Sequence, residues 1–141
     1  MIINLGTDIV DIRRINNTIN KYGDKFKSRC FHKSEIFRSE NRLKTSESYA
    51  KRYAAKEACA KALGTGLARG VFWKDIEVKN DKFGKPKISL HNNALYFLKK
   101  MGNEIDLNIE VSLSDEKNYA IANVIIYKIW KKFGSILNLL F

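Results

Sequence analysis

Between residues 2 and 10 the chain alternates with the period of a strand. Ile3, Leu5 and Thr7 fall on one side, and Asn4, Gly6 and Asp8 on the other. The period then turns helical: Asp11 is placed to cap a helix running to about Lys21, with Ile12, Ile15 and Ile19 as its apolar stripe. Residues 25–44 read as short helix and loop, rich in Lys and Arg. Thr45-Ser46-Glu47 signals a helix start, and helix-forming residues continue to Leu63. Gly64 stands where a left-handed C-cap is wanted, and Gly66 and Gly70 mark a loop. Residues 71–79 and 87–90 predict two strands joined through 80–84, and 91–101 an amphipathic helix with Leu95 and Leu98 on one side. Residues 109–114 and 119–127 predict a last strand pair. The fold class is α+β: a mostly antiparallel sheet packed with a long Ala-rich helix, one domain over residues 1–128. Residues 129–141 form an apolar tail. Trp130, Phe133, Ile136, Leu137, Leu140 and Phe141 follow helical spacing there, which predicts a short helix packed on its own subunit or a neighbour, with contact to an anionic membrane surface as the alternative.

Composition narrows the function classes. With 141 residues, 45% hydrophobic and 11% aromatic, the chain can build a core and is not a disordered segment. Lys and Arg number 26 against 15 Asp and Glu, a formal charge of +11, which calls for an anionic partner. Cys30 and Cys59 stand far apart, and His32 and His91 are not spaced with them as a zinc site, so both thiols are expected reduced and both histidines ordinary surface residues. The N-terminus lacks the basic and apolar regions of a signal peptide, and no window of about 18 apolar residues spans a membrane. A cytoplasmic location is the expectation.

Three features could carry chemistry. Asp8 ends an apolar strand beside Gly6; it could meet a cation or phosphate in a cleft, or simply cap the following helix. Tyr53, Glu57 and Lys61 recur at four-residue spacing on one helix face, with Arg52 and Lys56 beside them; Glu57 and Lys61 alone could be an exposed ion pair. The loop Gly64-Thr65-Gly66 is only loosely like a phosphate cradle, since it follows a helix and lacks the Gly-Lys-Ser/Thr ending of a P-loop. A basic nucleic-acid-binding domain would explain the charge equally well, but no RNP, GXXG or helix-turn-helix signature is present.

Together these pieces resemble the holo-acyl-carrier-protein synthases, the small bacterial 4′-phosphopantetheinyl transferases. Gly6-Thr7-Asp8-Ile9-Val10-Asp11 followed by Arg14 is similar to their opening. Arg52-Tyr53-Ala54-Ala55-Lys56-Glu57-Ala58 with Lys61-Ala62-Leu63-Gly64-Thr65-Gly66 resembles their helix motif, the most specific of the set. Asp75-Ile76-Glu77-Val78, Gly84-Lys85-Pro86 and Val111-Ser112-Leu113-Ser114-Asp115-Glu116 with Tyr119-Ala120-Ile121-Ala122 are similar to the remaining blocks, so the likeness runs from residue 2 to about 127.

The resemblance implies a phosphopantetheinyl-transferase-like fold. It implies transfer of 4′-phosphopantetheine from coenzyme A to a serine of apo acyl carrier protein, in support of fatty acid biosynthesis, releasing adenosine 3′,5′-bisphosphate. Asp8 and Glu57 match the family's metal-binding acids, for Mg²⁺, and Lys61 its lysine at the scissile pyrophosphate. Arg52, Gly64, Thr65, Gly66 and Pro86 would hold coenzyme A, with Lys44 and Arg42 as candidates for its 3′-phosphate. Arg14 matches the carrier-binding arginine; Arg13, Lys21, Lys25 and Phe26 could extend that patch toward an acidic carrier protein. A homotrimer with sites between subunits is implied as well, and no nucleic acid partner. One departure stands out: Glu110 occupies a position where many members carry His, so a histidine-based role is not carried over. Deprotonation of the serine through a metal-bound water with a carboxylate is then the simpler expectation.

Overall fold

The computed structural model describes residues 1–103 and 105–129. The apolar tail predicted to pack as a helix lies outside the described residues from Trp130 onward, and Ile129 is exposed. Eleven elements follow one another: β1 (Ile2–Asp11), α1 (Ile12–Tyr22), α2 (Asp24–Cys30), α3 (Lys33–Glu40), α4 (Thr45–Ala62), a 3₁₀ turn (Trp73–Asp75), β2 (Ile76–Asn80), β3 (Pro86–Leu90), α5 (Asn92–Gly102), β4 (Asn108–Glu116) and β5 (Tyr119–Tyr127).

The sheets are antiparallel throughout. One has the order β1-β5-β4, with Gly6 opposite Val124 and Asp8 opposite Ala122; the other is the β2-β3 hairpin. Strand alternation sorts the first sheet cleanly. Asp8, Val10, Val111, Ala120, Ala122, Val124 and Ile126 are buried beneath α4, while Leu5, Ile9 and Ile125 lie exposed on the opposite face. The core therefore sits between this sheet and α4, whose six alanines are all buried.

Why α4 lies so close is visible at Gly6. A Cβ there would stand 1.9 Å from the Ala58 carbonyl oxygen and 2.8 Å from the Ala62 nitrogen, so only glycine lets strand and helix backbones meet. Asp11 caps α1 as the spacing predicts, accepting from the Arg13 amide at 2.9 Å, and Ile12 and Ile15 are buried.

Residues 25–44 hold short helix and loop as expected, the helices being α2 and α3, with α3 entered where the His32 amide donates to Glu35 at 2.8 Å. One expectation is corrected. The strand predicted from residue 71 begins at Ile76, because the buried Asp75 accepts from the Phe72 amide at 2.9 Å and winds residues 73–75 into a turn.

Candidate active site

Asp8 on β1 points toward the face of α4 carrying Lys61. The Lys61 ammonium donates to Asp8 Oδ1 at 2.7 Å and to the Thr7 carbonyl at 3.0 Å. Asp8 does not cap the following helix; Asp11 has that role. Its second oxygen, Oδ2, is buried and has no hydrogen-bond partner. Glu57, one turn before Lys61, faces the same carboxylate. Burial first, and then the Asp8 charge, push its carboxyl above the ordinary range. Lys61 thus bridges to β1 rather than pairing along its own helix with Glu57. Tyr53 completes this face, its phenol pushed up to about 12 by burial and by the Glu57 charge, and Arg14 on α1 is near enough to oppose that shift.

Two carboxylates are held together here, one raised by burial and by the other's charge and one with an orphaned buried oxygen, and the Lys61 ammonium meets only the other Asp8 oxygen. The donor set is all oxygen and partly open to solvent. It fits a hard divalent cation of the Mg²⁺ kind, which takes one or two carboxylates and keeps its waters.

The other coenzyme-binding candidates gather elsewhere. A cavity of about 750 Å³ is lined by Arg38, Arg42, Lys44, Lys51 and Arg52, by Glu47 and Asp115, and by Asn80, Gly84 and Pro86. Its charge is dominated by bases, and Asp115 is already paired with Lys51 at 2.6 Å. Arg52 is anchored there, donating to Ser48 Oγ at 2.9 Å and Asn80 Oδ1 at 2.8 Å, with Nε buried and unpartnered. Burial lowers its pKa, so a nearby anion would relieve it. Neither Asp8, Glu57 nor Lys61 lines this cavity. The reason is helical: Arg52 and Lys61 are nine residues apart, about 180° around α4 at roughly 100° per residue.

Gly64 and Gly66 adopt positive φ, 78° and 58°, and end α4 as predicted. Their amides donate to the Lys61 and Ala60 carbonyls at 2.9 and 3.0 Å. The two glycine amides expected to cradle phosphate are therefore already engaged, and Thr65 is turned inward, its hydroxyl on the Gly66 carbonyl at 2.8 Å.

Around Arg14 the expected basic patch thins. Arg14 is exposed. Arg13 is tied to Asp11 at 2.7 Å, and Lys21 lies over the Tyr22 ring. Phe26 is half-buried between Phe31 and Tyr53, at ring-centroid distances of 5.9 and 6.1 Å, and so serves the core rather than standing free as an anchor. Glu110, at the departing position, pairs with Lys85 at 2.9 Å beside Pro86.

Sequence reasoning missed one cluster. His32 and His91 are not ordinary surface residues: their rings are 5.2 Å apart with the buried Glu77 between them in reach of both. Nothing in the linear spacing of 32, 77 and 91 signals it.

Residues 4–124 match the 4′-phosphopantetheinyl transferase superfamily. The chain is 49% identical over 127 residues to the holo-[acyl-carrier-protein] synthase of Parvibaculum lavamentivorans, covering 89% of this chain and 96% of that protein. To the synthase of Agrobacterium fabrum it is 50% identical over 129 residues, covering 89% and 95%. Its fold is similar to the crystal structure of the Neisseria meningitidis synthase, with TM-score 0.80 and 35% identity over 91% of this chain and all of that one. It is also similar to that of the Helicobacter pylori synthase in complex with coenzyme A, with TM-score 0.75 and 31% identity over 87% of this chain and 99% of that one. The Asp8–Glu57–Lys61 grouping and the agreement of sequence and fold converge on one conclusion: the chain belongs to the 4′-phosphopantetheinyl transferase superfamily, among its holo-[acyl-carrier-protein] synthases.

Proposed function

We propose that this chain moves 4′-phosphopantetheine from coenzyme A to a serine hydroxyl of an acidic apo acyl carrier protein, with Mg²⁺ held by Asp8 and Glu57, in the cytoplasm and in support of fatty acid biosynthesis. The observation that carries the reading is the buried, unpartnered Asp8 Oδ2, with Glu57 beside the same carboxylate and Lys61 on its other oxygen. Attack on a pyrophosphate gathers negative charge on phosphoryl oxygens, and a bound Mg²⁺ would supply the Lewis acidity that offsets it.

The chain's own residues do the rest. Lys61, more than half exposed, can leave Asp8 and neutralise the departing phosphate. The carboxylates of this site stand where a water held by the metal could pass on the serine proton as the hydroxyl attacks. Arg42, Lys44 and Arg52 receive the nucleotide phosphates, with Pro86 at the cavity edge. Glu110 is paired with Lys85 and is given no part in this reading.

Coenzyme-binding and metal-binding residues lie on opposite sides of α4, so one chain does not bring them around a single ligand. The exposed Leu5, Ile9 and Ile125 give the three-stranded sheet an apolar outer face suited to burial against another copy. A homotrimer with each site shared between subunits supports both facts at once.

The test is intact-mass analysis of an apo acyl carrier protein incubated with coenzyme A, Mg²⁺ and this protein. The expected result is a gain of one phosphopantetheine per carrier; an unchanged mass overturns the reading. The carrier surface is tested separately. Arg14→Glu should raise KM for the carrier several-fold at low salt and leave coenzyme A affinity unchanged, because a reversed rim charge acts on encounter.

A further inference from the structure

His32, Glu77 and His91 come from three elements: the entry of α3, strand β2, and the junction between β3 and α5. Each offers a ligand atom within 4.8 Å of the other two. We infer that these three side chains form a second metal site, separate from Asp8 and Glu57, for a divalent ion of the zinc class. Two imidazoles and one carboxylate are the donor set such ions take when one coordination position stays open to water, whereas Mg²⁺ prefers oxygen alone.

The surroundings are arranged as a metal site requires. Glu77 is buried, and Ser34 Oγ donates to its Oε1 at 3.0 Å, which leaves Oε2 facing His91 Nε2 at 2.9 Å. His32 donates through Nε2 to the Lys74 carbonyl at 2.5 Å; since a carbonyl only accepts, Nδ1 carries the lone pair. Hydroxyl and carbonyl partners of this sort fix the orientation of first ligands and sharpen affinity.

Closing the site takes little. Ligand atoms around a tetrahedral ion at about 2.0–2.1 Å stand roughly 3.4 Å apart. Both histidines are partly exposed and can rotate inward by the remaining ångström or so. The ion replaces the proton shared by His91 and Glu77, which is released to solvent. Lys79, 3.5 Å from Glu77 Oε2 and half exposed, swings out. Bound metal would join α3, β2 and the start of α5.

The test uses the full chain freed of metal by chelator, with zinc chloride measured by calorimetry and cobalt chloride by its visible ligand-field bands. The expected result is one ion per chain, intense tetrahedral or five-coordinate cobalt bands, and a higher Tm with zinc. His32→Gln and His91→Gln should each weaken binding by roughly 10–100-fold or more and abolish the Tm rise. Both should keep the far-UV spectrum and the Mg²⁺-dependent transfer. Asp8→Asn should keep the cobalt bands while losing transfer. Cobalt or zinc binding that survives both histidine variants, that vanishes with Asp8→Asn, or that is absent in the parent chain overturns the site. Should His32→Gln fail to fold, His91→Gln decides alone.

Discussion

Helix α4 carries two lysine–carboxylate pairs one turn and a fraction apart, and they are built for opposite ends. Lys56 and Glu35 are wholly out of water. The Lys56 ammonium spends all three donors, on Glu35 Oε2 at 2.8 Å and on the Trp73 and Ile76 carbonyls, while Glu35 also accepts from the His32 and Val78 amides. Lys61 and Asp8 meet at 2.7 Å in half-open surroundings, with one Asp8 oxygen left unmet and a second carboxylate alongside. The first pair is saturated and locks α4 to α3 and β2. The second leaves one buried carboxylate oxygen unmet. Equal separation of charges says little about role; what the remaining donors and lone pairs meet decides it.

The sharpest break in that contrast comes from Asp8→Ala and Glu57→Ala. Each should abolish phosphopantetheine transfer while thermal unfolding stays close to that of the parent, because each removes a ligand without orphaning a buried cation; steady-state transfer and calorimetry read the two effects. Wild-type-like turnover in either variant would show that the unmet oxygen is not the site of metal binding. Lys56→Ala should do the reverse to stability. It strands Glu35 as an uncompensated buried charge and should cost about 3–5 kcal/mol in chemical denaturation.

Gly6→Ala tests whether both pairs depend on the placement of α4. The added carbon collides with helix backbone, which has no rotamer to yield, so a loss of about 1–3 kcal/mol is expected, together with reduced turnover as Asp8 is pushed off Lys61. The smallest effect concerns pH. A carboxyl raised on folding contributes stability below its unfolded pKa, and that contribution disappears as pH rises through its higher folded value. In chelator, the parent should therefore lose stability as pH rises through the upper carboxylate range. Glu57→Gln should flatten that dependence, and Mg²⁺ should reverse it in the parent alone. A pH profile that Glu57→Gln leaves unchanged would mean that folding does not raise the Glu57 carboxyl.

Much of this was legible in the residues, for physical reasons. The period-2 pattern of β1 put Gly6 and Asp8 on one face, and four-residue spacing put Glu57 and Lys61 on another. Only a helix laid against a strand could join the two. The motif likeness supplied what spacing could not, that the acids belong together. The turn at 73–75 was hidden because a β-branched, aromatic run reads as strand until a buried Asp75 takes a backbone amide. The amides of Gly64 and Gly66 read as open donors because a sequence does not show which helix-end carbonyls they must cap. The His32–Glu77–His91 grouping was invisible, since it is made by tertiary packing of three elements with no shared period.

The contact at Gly6 has a consequence for tolerance to change. Where two elements are spaced by large side chains, their separation drifts with every substitution that alters volume. Here the gap between β1 and α4 is set by main chain resting on main chain, with buried alanines to either side. Such a joint acts as a mechanical stop whose length is fixed by covalent geometry. The distance from Asp8 to the α4 side chains is thereby insulated from mutation elsewhere in the core. The same stop leaves no room for gradual adjustment: this one position must stay glycine.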